Sequence, residues 1–444
     1  MNNWKSFKIG DISDSCLGKM LDKNKNKGEF QPYLSNKAVR WGEFDLSNLS
    51  EMRFEPHEEE RYGIRNGDLI VCEGGEPGRC AIWRSVVPTM KIQKALHRVR
   101  VNPGFNNEFL YYRLLLAGRD GELEKYFIGS TIKHLTGVNL KKIEFEFPPY
   151  EMQCAISKVL SNLDSKIRLN NRINAELEAM AKTIYDYWFV QFDFPSPSPL
   201  GRAGVGSPYK ANGGKMVWSE ELKREIPEGW VAGTLSEIAN ITMGQSPPGE
   251  TYNEEGLGTI FFQGSTDFGL RFPSIRQYTT ELGRMAKQGD ILLSVRAPVG
   301  TMNIAKVDCC IGRGLAALNS KDNCIVYLHG VMNNLHQIFE RRNTGGTTFG
   351  AITKDDLFSL KVVRAPREIL DKFNAITKPM FDKQNVMAEE NQKLTELRDW
   401  LLPMLMNGQI KIKDAEGESS FASTTEDKLA MAAEPILSYS KSKL

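Results

Sequence analysis

The stretch of this sequence closest to a catalytic motif is Phe147-Pro148-Pro149-Tyr150. Amino-methyltransferases place a polar residue before such a Pro pair, where it hydrogen-bonds the amino group of a flipped base, and an aromatic residue after it. Phe147 stands in the polar position and cannot accept that hydrogen bond. The Pro pair therefore indicates a boundary between a globular domain and a helix.

Other residue patterns that could support catalysis are equally incomplete. Residues 345–350 have the glycine spacing of a phosphate-binding loop, but Ala351 and Ile352 follow where such a loop needs Lys and Ser or Thr. The five histidines have no metal-ligand spacing with cysteine. His-Glu-x-x-His and Gly-x-Ser-x-Gly are absent. The sequence predicts neither an active site nor a metal site.

Composition and charge are those of an ordinary globular protein. The chain has 444 residues, 41 % of them hydrophobic, and a formal net charge of +2. Its seven cysteines form no Cys-x-x-Cys pair, which favours a reducing compartment. The first ten residues contain Trp4, Lys5 and Lys8 and no apolar stretch, so we expect neither a signal peptide nor a membrane span, and a cytoplasmic location.

An internal repeat organises the chain, with an offset that decreases slowly from 226 to 217 residues. The segment 67–71 matches 289–293, since both read Gly-Asp followed by three apolar residues. Near the end of each copy, Gly129-Ser130-Thr131 matches Gly346-Thr347-Thr348. The order of the matches is constant along the chain. Such a pattern predicts two copies of one fold.

Each copy continues into a long heptad-patterned helix that predicts pairing with the other. The predicted seam of the first helix is Ile156, Leu160, Leu163, Ile167, Asn170, Asn174, Leu177, Ala181, Ile184 and Trp188. The second helix has two predicted columns, namely Phe373, Met380, Met387, Leu394 and Leu401, and Ile376, Lys383, Glu390, Leu397 and Met404. The two Asn at the first seam cost stability but fix register.

These patterns predict an α+β fold: two similar globular domains joined by two long antiparallel coiled-coil helices, with pseudo-two-fold symmetry. Pro, Gly and Ser dominate a predicted linker, and the end of the chain predicts a mobile tail without periodicity. The predicted segments are globular 1–150, helix 151–194, linker 195–214, globular 215–366, helix 367–413 and tail 414–444.

Two similar domains held apart by a helix pair suit a ligand that has two spaced sites. Duplex DNA is such a ligand, because major-groove sites on one face recur about every 34 Å. A coiled-coil scaffold that binds proteins at both ends is an alternative of another class. Footprinting separates the two, since only a DNA reader protects two patches with a gap between them.

The chain resembles the specificity subunit of type I restriction–modification systems over residues 1 to about 413. The resemblance is carried by residues 184–194 and 401–410, which follow the two helices, and by Pro227-Glu228-Gly229-Trp230, which opens the second domain. The paired Gly-Asp strands are also similar to the family. A related bifunctional restriction–modification system remains an alternative for the same recognition role.

The resemblance implies two target-recognition domains, one for each half of a bipartite site on double-stranded DNA, and a coiled-coil spacer that sets the gap. It also implies docking of two methyltransferase (modification) subunits and two restriction (motor–nuclease) subunits. Those partners would bind S-adenosylmethionine, ATP and Mg²⁺, which fits the absence of catalytic motifs here. The subunit itself would be non-catalytic.

Polar and basic residues in loops are the candidates for contacting DNA. The candidates in the first domain are Lys19, Lys23, Ser35, Asn36, Lys37 and Arg40. The candidates in the second domain are Gln245, Ser246, Gln263, Ser265, Thr266, Arg296, Arg313, Thr347 and Thr348. The candidates for partner docking, or alternatively for the core at a helix end, are Tyr187, Trp188, Phe189, Phe192, Leu401 and Leu402.

The near-zero net charge is spread along the chain. Residues 1–150 carry +3 and residues 215–366 carry no net charge. No domain is strongly basic, so any DNA-binding face depends on charges that folding segregates. We therefore predict that the chain alone binds DNA weakly, with a shallow salt dependence, and tightly only within its complex.

Overall fold

The computed structural model describes residues 3–22, 26–84, 89–196, 207–336, 338–340 and 351–410. The chain divides into two compact units. The first comprises Met1–Ser161 and the segment from Asp399 onwards, and the second comprises Asn162–Arg398. The predicted tail, 414–444, lies outside the described residues, as does the middle of the predicted linker.

The first unit is a mixture of short strands and helices. Its strands are β1 Lys5–Lys8, β2 Ser13–Leu17, β3 Glu29–Leu34, β4 Ser50–Phe54, β5 Leu69–Cys72, β6 Cys80–Ile82, β7 Lys91–Ile92, β8 Leu96–Val101 and β9 Glu144–Phe147. Its helices are α1 Ile9–Ile12, α2 Glu59–Tyr62, α3 Asn107–Arg119, α4 Gly137–Lys142 and the start of α5 Tyr150–Tyr185.

The second unit begins within α5, and from Val231 onwards it repeats the order of the main strands of the first unit with additional short strands. Its strands are β10 Pro195–Ser196, β11 Ser207–Pro208, β12 Met216–Ser219, β13 Arg224–Pro227, β14 Val231–Thr234, β15 Ala239–Met243, β16 Tyr252–Asn253, β17 Thr259–Phe262, β18 Tyr278–Thr279, β19 Met285–Ala286, β20 Ile291–Ser294, β21 Met302–Ile304, β22 Cys309–Ile311, β23 Leu315–Ser320 and β24 Lys361–Arg364. Its helices are α6 Leu235–Ile238, α7 Ile325–Asn334, α8 Lys354–Phe358 and most of α9 Arg367–Met406.

The sheet topology confirms that one fold is built twice. In the first unit an antiparallel sheet has the order β2-β8-β5-β6, and in the second the order β15-β23-β20-β21. A second sheet contains the parallel pair β3–β7 in one unit and β17–β22 in the other. The first and last strands of each domain also pair, as β1–β9 and β14–β24. The first and last strands of the two domains correspond at offsets of 226 and 217 residues, the limits of the offset of the sequence repeat.

The central strand of each domain lies between two apolar layers. In β5, Leu69 and Val71 join the core that contains α3, while Ile70 and Cys72 join the core under the second sheet. In β20, Leu292 likewise faces the smaller of two cores. A strand buried on both faces needs a continuous apolar run, which is why the Gly-Asp-apolar motif is visible in the sequence.

The aspartate of that motif closes the turn before each central strand. Asp68 accepts a hydrogen bond from the Arg65 main-chain nitrogen at 2.8 Å and binds Arg100 through two contacts of 2.8 and 2.7 Å. Its hydrogen bond raises the pKa of Arg100. Asp290 accepts from the Lys287 nitrogen at 2.8 Å, but its side-chain partner is the Asn319 amide at 2.7 Å. Equivalent turns thus use an ionic contact in one copy and a neutral one in the other.

The two aspartates therefore predict unequal losses of stability on substitution. We expect Asp68→Asn to cost about 3 kcal/mol, because it leaves the partly buried guanidinium without a carboxylate. We expect Asp290→Asn to cost about 1 kcal/mol, since the asparagine keeps one acceptor oxygen and can serve only one of the two donors, the Lys287 nitrogen and the Asn319 amide. Urea titration of the two full-length variants measures the difference. Equal losses would mean that the charge of the Arg100 pair contributes nothing.

The two long helices are shorter than the sequence predicted. The first ends at Tyr185 and continues as a π-helical turn, Asp186–Val190, instead of running to residue 194. The chain leaves the helix there because Phe192 has a positive φ of 65°. The second ends at Met406, with Gly408 at a positive φ of 66° close behind.

One predicted seam column of the second helix is wrong by one residue. Phe373, Met387 and Leu394 are buried as predicted, but Ile376 is 44 % exposed whereas Thr377 is fully buried. The buried column continues one residue after the predicted one, at Gln384, which is 4 % exposed. From Phe373 the seam residues of α9 follow one another at alternating spacings of four and three residues, as in a coiled coil. The residues at the end of each four-residue spacing, Thr377 and Gln384, are polar and lie in the seam.

Amide groups join α5 and α9 in the middle of the seam. Asn170 donates to the Glu390 carboxylate at 2.6 Å and to the Asn391 side chain at 2.9 Å, and Gln384 donates to the Asn174 main-chain carbonyl at 3.0 Å. These contacts, which all lie within the second unit, run antiparallel. Buried amides that pair with amides favour one register over others, because a shift of the helices would leave them without partners.

The second globular domain is anchored on α9 by two cations. Arg271 stacks over the Phe381 ring at 4.2 Å and donates to the Asn385 side chain at 2.6 Å, and burial lowers its pKa to about 10. Lys306 donates to the Gln392 side chain at 2.5 Å. The part of α9 from Phe381 to Gln392 is therefore the surface on which the second globular domain packs.

Candidate nucleic-acid interface

In the second domain, several turns that carry the candidate residues are hydrogen-bonded into one edge. The Gly312 nitrogen donates to the Phe262 carbonyl at 2.8 Å, at the end of β17. The Gln245 nitrogen donates to the Ile311 carbonyl at 2.9 Å. The Val295 nitrogen, after β20, donates to the Gly314 carbonyl at 2.9 Å. The loops that follow β15, β17, β20 and β22 thus meet.

The first domain builds the same edge from equivalent bonds. The Gln93 nitrogen donates to the Leu34 carbonyl at 3.1 Å, the Lys19 nitrogen to the Ile92 carbonyl at 3.0 Å, and the Glu73 nitrogen to the Ala95 carbonyl at 2.8 Å. We call each of these two sets of turns the recognition edge of its domain. Main-chain bonds fix the turns, so the side chains they carry can vary without changing the edge.

One glycine in each copy permits the close contact of two turns. A Cβ atom on Gly18 would lie 2.4 Å from the Gln93 carbonyl oxygen, and one on Gly244 would lie 2.1 Å from the Gly312 carbonyl oxygen. Real Cβ atoms do not come so near to a main-chain oxygen. Both positions therefore require glycine, which explains why this residue aligns in the sequence repeat.

The second recognition edge brings three candidates into contact. The Ser246 hydroxyl accepts from the Gln263 amide at 3.0 Å and from the Arg313 main-chain nitrogen at 3.2 Å. The Gln263 and Arg313 side chains are exposed, as is that of Gln245. A hydrogen-bonding cluster of this kind can present donors and acceptors to a base edge.

Other candidates of the second domain lie on neighbouring turns. Ser265 begins a 3-10 turn, Ser265–Asp267, in which Thr266 is exposed and Ser265 is half-buried. Arg296 is exposed on the turn after β20, and its main chain bridges to Ala351. Thr347 and Thr348 lie outside the described residues.

The first recognition edge uses its central candidate as a support. The Asn36 side chain donates to the Gly74 carbonyl at 2.7 Å, and the Asn36 main-chain carbonyl accepts from the Arg79 guanidinium at 3.1 Å. Asn36 therefore joins two turns of the edge. Ser35 is half-buried beside it and Lys37 is exposed. Arg40 is exposed, donates to the Lys37 carbonyl at 2.6 Å and lies 3.9 Å from Asp45.

The structure does not place Lys19 where it could contact a phosphate. Lys19 is 3 % exposed, and its ammonium lies 2.5 Å from Glu58 and 2.9 Å from the Arg53 carbonyl. It also lies over the Phe54 ring, 5.0 Å from the centroid. Its charge is satisfied inside the domain, so the expectation for this residue is corrected. Lys23 lies outside the described residues.

Most aromatic candidates for partner docking are core residues instead. Trp188, Phe189 and Phe192 are at most 4 % exposed and pack in the main core of the second unit. Leu402 is fully buried in the core of the first unit, where Leu401 packs against it half-buried. Tyr187 differs, since it is 40 % exposed. The buried candidates therefore belong to the core at a helix end, which is the second of the two roles that the sequence allowed.

Sequence reading missed Lys94, which is exposed on the first recognition edge. Lys94 follows Gln93, whereas Arg313 follows Gly312 at the same point of the other edge. The sequence repeat offered the signal, because its offset near this point places Lys94 opposite Arg313. That offset falls from 222 to 217 residues across this region, so the strand pairing is needed to set it at 219 for β8 and β23.

The described part of the chain offers no cluster of metal ligands and no candidate membrane span. Within those residues, no group of three or more His, Cys, Asp or Glu side chains could hold a metal ion. No described helix combines the length and the apolar character needed to cross a bilayer.

The family is decided by comparison with known proteins. The type I restriction modification DNA specificity domain matches residues 1–179 and 227–393, which covers both copies of the repeat. The chain belongs to this family. It is 28 % identical over 431 residues to a Methanocaldococcus jannaschii protein assigned as the specificity subunit of the type I restriction enzyme MjaX, with 93 % of this chain and 94 % of that protein covered.

Further relatives agree with this family. The specificity subunit of the type I restriction enzyme HindI of Haemophilus influenzae is 22 % identical over 480 residues, covering 92 % of this chain and all of that protein. The crystal structure of a type I restriction–modification S subunit from M. genitalium is similar with a TM-score of 0.56 and 18 % identity, covering 91 % of this chain and 96 % of that one. The fold of this specificity subunit is therefore that of two recognition domains with two long helices.

Proposed function

We propose that this specificity subunit reads a bipartite DNA target, with one recognition domain on each half-site. The observation that carries the proposal is the recognition edge, which is built twice on the same main-chain bonds. The exposed side chains of the two edges differ, as Gln263 and Arg296 in one copy have no counterparts of the same type in the other. Equal scaffolds with different side chains suit two half-sites of unrelated sequence.

We further propose that α5 and α9 set the number of base pairs between the half-sites. The helices contain 36 and 40 residues. The Asn170, Gln384 and Asn391 contacts favour one register of the pair, so the length of the spacer would be well defined. A defined spacer would give a defined gap.

The proposed partners are two modification and two restriction subunits of a type I complex. The relatives support this proposal, since the M. jannaschii and H. influenzae proteins are both named as specificity subunits of type I restriction enzymes. Those partners are proposed to bind S-adenosylmethionine, ATP and Mg²⁺, and this chain is proposed to be non-catalytic by itself. A recognition subunit for a bifunctional methyltransferase–nuclease is the second possibility, and copurification distinguishes the two.

Footprinting with the cognate methyltransferase subunits tests the proposal. We expect two protected patches separated by an unprotected gap, whereas a protein scaffold would protect nothing. Replacing residues 1–150 by the first domain of another specificity subunit is expected to change one half-site only. Sequencing of methylated bases across the genome reads both half-sites directly. A change of both half-sites, or of neither, would contradict the assignment of one domain to each.

A further inference from the structure

The duplicated recognition edge allows equivalent positions to be compared between the two copies. Two half-sites of unrelated sequence share one chemical feature, the phosphate backbone, and differ in their base edges. An exposed position that has the same chemistry in both copies therefore suits a phosphate. A position that differs suits a base or a local structural role.

Most positions of the two edges differ. Gln245 is exposed, but its equivalent Lys19 is buried against Glu58. The 3-10 turn after β17 begins with Ser265 and the turn after β3 begins with Asn36, whose amide is bonded to the Gly74 carbonyl. None of these pairs presents one chemistry in both copies.

Lys94 and Arg313 are the exception, since both are exposed cations at equivalent points. Each occupies the second position of a tight turn before β8 or β23. The Leu96 nitrogen donates to the Gln93 carbonyl at 3.2 Å, and the Leu315 nitrogen donates to the Gly312 carbonyl at 3.0 Å. The main chain at both cations is thus held in place, beside the end of β3 or β17.

Several neighbouring cations, by contrast, pair with carboxylates of their own domain. Arg79 lies 2.9 Å from Glu76, Arg40 lies 3.9 Å from Asp45, and Arg276 pairs with Asp267. Within the described part of the chain, the side chains of Lys94 and Arg313 have neither an ion pair nor a hydrogen bond. Their charges remain available to an anion outside the domain.

We propose that Lys94 and Arg313 are equivalent phosphate contacts, one in each half-site, that position the recognition edges on the DNA without reading bases. The inference rests on the proposed function and assigns it two specific anchors. Lys offers a point charge to a phosphate and Arg a two-pronged donor, so both can serve the same role. They would supply part of the cationic surface that DNA binding needs and that the near-zero net charge of the chain does not locate.

The test measures DNA affinity against NaCl concentration for the complex with methyltransferase subunits. Lys94→Ala and Arg313→Ala are each expected to lower the slope of log affinity against log salt by about 0.9 and to weaken binding about threefold to tenfold near 0.1 M salt. The loss should be equal on the cognate duplex and on duplexes with one scrambled half-site. Arg313→Lys should retain the slope, and Lys5→Ala, on β1, serves as the charge-matched control.

Other outcomes overturn the inference. An unchanged slope for the alanine variants would show that these two residues do not contact phosphates. A loss confined to the cognate duplex, or a new base preference, would make these residues base readers. If the unaltered complex shows no preference for its target over scrambled DNA, the proposed function itself fails. Thermal melting of each variant checks that the edge remains folded, and the uncharged Arg313→Gln, with the same expected loss of slope, replaces Arg313→Ala if that variant does not fold.

Discussion

Adding one heptad to both long helices is expected to lengthen the gap of the DNA target by about three base pairs and to leave both half-sites unchanged. Seven helical residues span about 10.5 Å, and one base pair spans about 3.4 Å. Duplicating residues 164–170 in α5 and 392–398 in α9 adds facing segments, because Arg398 binds Asp164 at 2.9 Å and Asn170 binds Asn391 at 2.9 Å. The contacts of Arg271 and Lys306 with α9 are preserved.

The expected loss of affinity for the original gap is at least about 30-fold, since only one half-site can be engaged at a time. Genome-wide methylation reports the new gap, and gel-shift titration with the methyltransferase complex reports the affinity. Lengthening α5 alone is the matched control, because it displaces the Asn170 and Asn391 amides from each other and should abolish binding at either gap. New half-site sequences with an unchanged gap would show that the helices are not the spacer.

The duplicated fold could be predicted from the sequence because its strands are buried on both faces. Such strands need unbroken apolar runs, and the Gly-Asp turn before β5 and β20 needs its aspartate to bind a main-chain nitrogen. These are local requirements, so the residues that meet them recur in both copies. Gly18 and Gly244 recur for the same reason, since each lies against a carbonyl oxygen.

Residues whose environment depends on distant segments could not be placed. Lys19 looks like a surface charge, but Glu58 and Phe54 come from another part of the chain and bury it. The second column of α9 could not be placed from the sequence, because the predicted column and the buried column both contain polar residues. Gln384 of the buried column donates to the main-chain carbonyl of Asn174 on α5, a contact that only the folded helix pair shows. Lys94 required the strand pairing before its equivalence to Arg313 was visible.

Phe189, in the core at the end of α5, is expected to contribute strongly to the stability of the chain, although the sequence also made it a candidate for partner docking. Phe189 is 3 % exposed, and its ring centroid lies 4.8 Å from that of Tyr327, 4.9 Å from that of Phe373 and 5.8 Å from that of Trp230. We expect Phe189→Ala to lower the free energy of unfolding by about 3–5 kcal/mol, through lost burial and a cavity among aromatic rings. Urea titration of the full-length chain measures the loss.

Tyr187 provides the matched control, because it lies two residues away on the same turn and is 40 % exposed. Tyr187→Ala is expected to change the free energy of unfolding by less than about 0.5 kcal/mol. Copurification with the methyltransferase subunit then separates docking from folding, since a docking role for Tyr187 predicts a stable variant that loses its partner. If Phe189→Ala instead keeps its stability and loses the methyltransferase subunit, then Phe189 contributes to the interface and the fold does not depend on its burial.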